Sequence, residues 1–503
     1  MSNRINLFAL TLLSSVALPF APALAQDAVT IVLNDEPRTL EPCQSVSADV
    51  GRVITQNVTE SLTEIDPKDG SVQPRLAASW EQVDPSTWRF KLREGVKFHD
   101  GSDLDAADVV YTLGRMTETA LGCTTYTKMF GNTVLTATAV DPLTVEIKAD
   151  RPTPIFPTMM GLVHIVPEGT PKDAVSRAPI GTGPYKFVSW QPGEKIVIER
   201  TDGYWGEKPE VSGATYIWRT ESALRAAMVG AGEADIAPSI AIQDAADPET
   251  DFAYLNSETT RMRIDMMTPP LDDVRVRKAL NLAIDKEGLK VLLGDDVIEA
   301  TQYVVPSING HNPDLKPFSY DPEEAKRLLE EAKADGVPVD KEITLIVREA
   351  QYSNSTEVDE AMMSMWQEVG FNMKMSVLDV NNWYTYLNKP FPENRGPILF
   401  DQMHDNNNGD ASFTAFYNYA PDGLSSTVSD AEVGKLIDEA GAATGEERKK
   451  LFQEVFRKVH DDLVADVFMF HMVGYTRVSP RIDWRPNIST NSQIELADIK
   501  FRK

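Results

Sequence analysis

The chain has 503 residues, with 49 Lys and Arg against 76 Asp and Glu, and its net charge of −27 repels phosphate backbones, so nucleic acid is excluded as the expected partner. Two cysteines and six scattered histidines, none paired at i, i+3 or i+4, do not make a metal cluster, so no metal or other cofactor is expected. The chain is too long for one hydrophobic core, and at least two packed lobes are expected.

The N-terminus reads as a secretory leader. Arg4 precedes an apolar run from Ile5 to Phe20, about 16 residues and so short of the ~20 that span a bilayer. Ala23-Leu24-Ala25 then supplies the small-x-small cleavage pattern, which places the cut after Ala25. Gln26 follows where a lipoprotein would carry cysteine, so the expected product is a free periplasmic protein. The longest later apolar stretch, Ala465 to Val473, contains Asp466 and His471 and is too short to span. In an oxidising compartment Cys43 and Cys123 are expected to pair.

Periodicity predicts an α/β protein. Val29 to Leu33 is a continuous apolar run suited to a buried strand, and Trp88 to Leu92 alternates as a half-buried one does. Thr144 to Ile147 and Ile196 to Ile198 read as further strands. The connector Thr268-Pro269-Pro270-Leu271-Asp272 is a candidate crossing between lobes. At Asp321-Pro322-Glu323-Glu324 a capping residue, a first-turn proline and a glutamate announce a helix, with Ala325, Leu328, Leu329 and Ala332 on its buried face. Thr444-Gly445-Glu446-Glu447 repeats the device ahead of Leu451, Phe452, Val455, Phe456 and Val459.

Catalytic motifs do not emerge. The chain has no G-x-S-x-G elbow, no H-E-x-x-H and no Walker A loop, and Gly181-Thr182-Gly183 runs into Pro184 where a dinucleotide fingerprint needs another glycine. Asp405 to Asp410 lacks the spacing of an EF-hand. The expected protein is not an enzyme; the rival class is a periplasmic hydrolase, which would require a nucleophile and base or a metal cluster.

One ordered set of motifs carries a family resemblance. Leu76-Ala77-Ala78-Ser79-Trp80 is followed by Thr87 through Gly101 (Thr-Trp-Arg-Phe-Lys-Leu-Arg-Glu-Gly-Val-Lys-Phe-His-Asp-Gly) and by Ala107 to Thr112. Gly181 to Tyr185 with Trp190, Pro192-Gly193-Glu194 and Tyr204-Trp205 comes next, then Pro269 to Leu280 with Ala283-Ile284-Asp285, then Tyr320 to Ala325. This arrangement resembles the peptide/nickel/oligopeptide class of bacterial extracellular solute-binding proteins, family 5. The resemblance implies a periplasmic-binding-protein-like (type II) α/β fold, a two-lobed Venus-flytrap with an additional inserted domain. Its implied organisation is a signal peptide at 1–25, a first lobe assembled from 26–65, 180–266 and 475–503, an inserted domain at 66–179 and a second lobe at 267–474. It also implies an ABC importer's substrate-binding component, working with a permease and ATPase on a short peptide or amino-acid-derived solute. Cationic compounds, opines, oligosaccharides and metal chelates are the alternative cargoes. Nothing in the sequence points to an oligomer, so a monomer is expected.

In the peptide-binding relatives an Asp holds the solute's α-amino group and, in dipeptide binders, an Arg holds its carboxylate. The Asp-bearing loop corresponds to Phe400 through Phe413, which makes Asp405 the leading amine partner and Asp410 the second, with Met403 near the family's usual Trp and His404 beside it. Arg348 falls close to the carboxylate position, whereas an ungapped alignment through Trp366 puts Glu349 there. Trp383 is a candidate stacking wall, and Asn34, Asp35 and Glu36 lie where the other lobe's contacts are expected. His99, Asp100 and Gly101 read as structural parts of a strand and turn.

Overall fold

A computed structural model describes residues 27–44, 51–66, 70–130, 133–349, 351–352, 354–405, 409–486 and 494–503. The leader and its cut after Ala25 lie outside the described residues.

Nineteen strands follow one another along the described chain. The first nine are β1 (Ala28–Leu33), β2 (Thr63–Ile65), β3 (Val72–Pro74), β4 (Ala77–Asp84), β5 (Thr87–Leu92), β6 (Leu135–Asp141), β7 (Thr144–Ala149), β8 (Tyr185–Gln191) and β9 (Lys195–Arg200). The central ones are β10 (Gly213–Trp218), β11 (Ile236–Ile240), β12 (Asp251–Ile264), β13 (Ile298–Glu299), β14 (Ile343–Arg348), β15 (Met373–Leu378) and β16 (Ile398–Asp405). The C-terminal three are β17 (Asp466–Val478), β18 (Ile482–Asp483) and β19 (Lys500–Phe501).

Alternation in the sequence becomes a two-faced sheet at β4-β5-β7-β6. Phe90 and Leu92 of β5 turn inward with Val145 and Ile147 of β7, and the helix Ala106–Arg115 covers them through Val109 and Leu113. On the outer face Arg89 bridges Glu81 and Glu146 at 2.9 Å each. The same core buries Cys43 and Cys123, which are joined by a disulfide.

The motif residues His99 to Gly101 close a turn of this unit onto the next conserved block. His99 Nδ1 accepts from the Gly181 amide at 3.3 Å, which leaves Nε2–H to donate to the Gly183 carbonyl at 2.9 Å. Burial depresses the imidazole pKa and keeps this ring neutral. Gly181 is dictated by contact: a Cβ there would lie 2.1 Å from the Val58 carbonyl oxygen.

The larger sheet runs β15-β14-β16-β12-β17-β11-β1-β10-β9-β8, with β13 beside β17. Two long antiparallel strands hold its halves together. Asp251–Leu255 of β12 pairs with the end of β17, whose other neighbour there is β11, while Glu258–Ile264 has β16 on its far side. Between Leu255 and Thr259 the β12–β17 register shifts, so a bulge at Asn256–Glu258 separates the two halves. The strand that joins the two halves of the sheet is thus continuous, and Thr268–Asp272 follows it. That connector is a turn tied by Thr268 Oγ1 to Asp265, with Leu271 buried in the core beside β12.

Among the described residues no helix is long and apolar enough to cross a membrane.

Candidate functional site

Strand direction brings the carboxyl ends of both halves toward the bulge. β17 runs from the β16 side to the β11 side; β11 is antiparallel to it, and β1 is parallel to β11. β1 therefore points toward the other half. β16 is antiparallel to β12 and parallel to β14, which is parallel to β15, so these three strands point back. Asn34–Glu36 and the ends of β14 and β16 consequently face one another across the middle of β12 and β17.

The chain reverses its winding at β14. From β14 it passes through the helix Ser355–Glu368 to β15 on one side, then through the helix Val380–Leu387 to β16 on the other. The two helices cover opposite faces. Val358, Met362 and Trp366 of the first pack with Leu345, Val347 and Leu399, whereas Trp383 of the second packs with Ile346, Ile398 and Phe400. In open α/β sheets such a reversal opens a crevice at the strand ends, where ligands bind.

Arg348 and Glu349 end β14 on opposite faces, because successive side chains alternate. The Arg348 guanidinium lies 5.4 Å over the Trp383 ring and donates to the Gln351 carbonyl at 3.3 Å. Glu349 is exposed on the other side, its amide donating to the Leu378 carbonyl at 3.0 Å. Asp405 ends β16 opposite Glu258 of β12 and accepts a short hydrogen bond from Ser257 Oγ. His404 Nε2 is 2.8 Å from Thr414 Oγ1, with its ring 5.0 Å from Tyr303 and 5.5 Å from Phe413. Met403 packs on the core beneath the first helix. Across the cleft, Asn34 Nδ2 donates to Asp35 at 3.1 Å and Asp35 is exposed.

Trp383, Glu36 and Asp410 are each held by groups of the protein away from the strand ends. Trp383 is only 4% exposed, stacks on Phe400 at 4.8 Å and donates Nε1–H to the Asp401 carbonyl, so the wall it forms carries Arg348. Glu36 accepts from Trp190 Nε1 at 2.8 Å and from the Gly193 amide at 3.1 Å. Asp410 is buried in a two-point ion pair with Arg448 at 2.7 and 2.8 Å and also accepts from Asn309 and the Ser412 amide. Burial alone would raise its pKa, but Arg448 and the Ser412 donors hold it below the usual carboxylate range.

The residue that sequence reasoning passed over is Asp401. It follows the apolar Ile398-Leu399-Phe400 on β16 and is wholly buried, and a charge in such a strand was the available signal. Burial pushes its carboxyl up to about 7 against the opposing influence of Arg348 and Gln351. Asp359, buried on the helix above, is raised well beyond its ordinary value by desolvation and then by the charge of Asp401.

Residues 71–432 match the family described as bacterial extracellular solute-binding proteins, family 5 middle. The chain belongs to family 5. The dipeptide-binding protein of Escherichia coli K12 is 26% identical over 442 residues, covering 81% of this chain and 82% of that protein. The glutathione-binding protein GsiB of Salmonella paratyphi A is 30% identical over 386 residues, covering 74% and 73%. Among solved structures, the Helicobacter pylori periplasmic binding protein DppA in complex with the peptide STSA superposes with a TM-score of 0.79 at 18% identity, over 95% of this chain and 98% of that one. This family 5 protein thus has the two-lobed type II fold, and its family works in transport, in the periplasm or outside the cell.

Proposed function

We propose that this protein is the periplasmic binding subunit of an ABC importer. It closes its lobes over a short peptide or amino-acid-derived solute with a protonated amine and passes it unaltered to the permease and ATPase. The observation that carries the reading is the set of facing strand ends. Asp405, Glu258 and Glu349 on one side face the end of β1 with Asp35 on the other, with Arg348 at the end of β14 and Arg219 just past β10 as the basic groups. Closure removes water from these charges, which favours a solute whose own charge pairs with them. Asp405 is the amine partner in this reading. Arg348 is the carboxylate partner for a peptide; Glu349 takes that place if the cargo is a cationic non-peptide. Relatives that bind dipeptides and glutathione support the cargo class, and the Cys43–Cys123 disulfide supports an oxidising compartment.

The lobes in this reading are 26–65, 180–266 and 475–503 for the first, 66–179 for the inserted domain and 267–474 for the second. The hinge is the Asn256–Glu258 bulge with the facing part of β17. Hinge closure is the motion such a pair of shared strands permits.

Native mass spectrometry of protein purified from periplasm without unfolding tests the proposal. A bound mass released intact on denaturation is expected, and re-adding that compound at a hundredfold over its Kd should stabilise the protein by about 2.7 kcal/mol. An empty protein that no member of a peptide, amino-acid and polyamine panel stabilises would overturn it, and turnover of a bound peptide would revive the hydrolase.

A further inference from the structure

Behind the crevice lies a polar set that the contacts above leave unexplained. Both carboxylate oxygens of Asp401, both of Asp359, both amide atoms of Gln351 and Ser355 Oγ are buried without a hydrogen bond of ordinary geometry among the described residues, and Asp401 has only the amide of Gln351 close enough to lower its pKa by hydrogen bonding. The four side chains are 0%, 0%, 5% and 2% exposed. Their assembly follows from the fold. Alternation along β16 puts Asp401 on the face of Leu399 and Met403, beneath the helix Ser355–Glu368. Ser355 and Asp359 are one turn apart on the buried stripe that continues through Met362 and Trp366. Gln351 leads from the end of β14 into that helix and is an immediate neighbour of Asp401.

Unpaired carboxylates in a low-dielectric interior are strongly disfavoured, and two that face each other are more so. Arg348 relieves Asp401 only in part, through its charge, since it stands on the Trp383 face and makes no hydrogen bond to either carboxylate. The set therefore lacks a hydrogen-bonded cation, and it lies just behind the switch crevice where ligands of such sheets bind.

We propose that Asp359 and Asp401, flanked by Gln351 and Ser355, form a subsite for a second protonated nitrogen of the transported solute, the ammonium or guanidinium at the end of a basic side arm. This rests on the binding-protein reading and narrows its cargo to solutes with a cationic arm besides the amine held by Asp405. An inorganic cation shares the oxygen chemistry, and the test separates the two.

Calorimetric titrations use alanyl-lysine, alanyl-arginine, agmatine and the uncharged, similarly shaped alanyl-norleucine, on the parent, Asp359→Asn, Asp401→Asn and the double variant. The parent is expected to prefer alanyl-lysine over alanyl-norleucine at least tenfold. The double variant should bring that ratio near one while keeping its alanyl-norleucine affinity. Asparagine keeps the shape and removes the buried charge, so circular dichroism should show intact folds, and either single variant carries the test if the double one does not fold. A preference that survives in the variants overturns the subsite, as does a parent that prefers no cationic probe. Stabilisation of the parent by calcium or potassium chloride alone, absent in the variants, assigns the site to an inorganic ion and also overturns it. Neutral solutes binding without cationic preference leave the importer reading standing; binding of no solute at all takes both down.

Discussion

Asp401 lies within β16 and Asp410 just beyond its end, and both are buried, yet their pKa values move in opposite directions because only Asp410 has a hydrogen-bonded cation. Asp401, raised from 3.8 to about 7, is protonated in the folded state at pH values where the unfolded chain has released its proton. Between about pH 4 and 7 the folded form thus binds more protons, and stability from this group is fully present below pH 4 and lost as pH rises through 7. Asp401→Asn removes that loss. In urea unfolding of ligand-free protein, the variant should gain on the parent from pH 5 to pH 8 by up to about 3 kcal/mol, the two pH units below 7 at roughly 1.4 kcal/mol each; an equal difference at both pH values would refute the account. Asp410 behaves conversely. Its depressed pKa gives stability that is present above the unfolded value near 4 and lost as pH falls through the folded one. Arg448→Met leaves that carboxylate buried without its cation, and a loss of about 3–5 kcal/mol at pH 7 is expected from the same titration. A loss under 1 kcal/mol would mean that the pair adds little.

The turn of β2–β3 and the loop after β16 meet through backbone. Gly409 has φ +70°, and a Cβ there would come 3.2 Å from the Gly70 carbonyl oxygen and 3.3 Å from Ile65 Cγ2. On the proposed lobe assignment this contact bridges the cleft, so Gly409→Ala should disfavour closure. The added Cβ crowds Gly70 and Ile65 only when the contact is made, and a penalty of that kind confined to the closed form, about 1.4 kcal/mol, predicts roughly tenfold weaker solute binding and a larger radius of gyration by small-angle scattering with solute present. Unchanged affinity would place the contact outside the closing motion. Such pairings show where sequence reading succeeds and stops. The Asp321 helix was legible because its determinants are local: Asp321 accepts from the Glu324 amide, and Ala325, Leu328, Leu329 and Ala332 are its buried residues. The Thr444 helix has its apolar stripe but no side-chain cap, since Gly445 takes a left-handed φ of +53° where the cap would form. The bulge inside β12 was not legible because it carries no Pro or Gly signature. Asp405 and Asp410 looked alike because Arg448, which separates them, lies on another helix. Asp359 and Asp401 meet only through sheet order.

At the scale of the whole molecule, the proposed closure and stability are separable, because the strands assigned to the hinge are not those that the disulfide ties. β12 and β17 cross between the halves. The disulfide lies away from them, joining Cys43, ten residues past the end of β1, to Cys123 at the cap of the short helix Thr124–Met129. Both sulfurs sit in the core under β5 and β7 together with Leu62 and Leu76, so the bond ties the first segment of the chain to the β4–β7 sheet. It closes a loop with a sequence separation of 80. Opening such a loop frees the unfolded chain by an entropy worth about 4–5 kcal/mol, while the strand ends that face the cleft keep their positions. The double variant Cys43→Ser/Cys123→Ser should therefore unfold at a midpoint several degrees lower, yet bind the native solute within about twofold of the parent at 25 °C. A large loss of affinity at a temperature where circular dichroism shows the variant folded would mean that the inserted domain's position is part of the binding site. Closure would then have to be redrawn as a motion of three bodies instead of two.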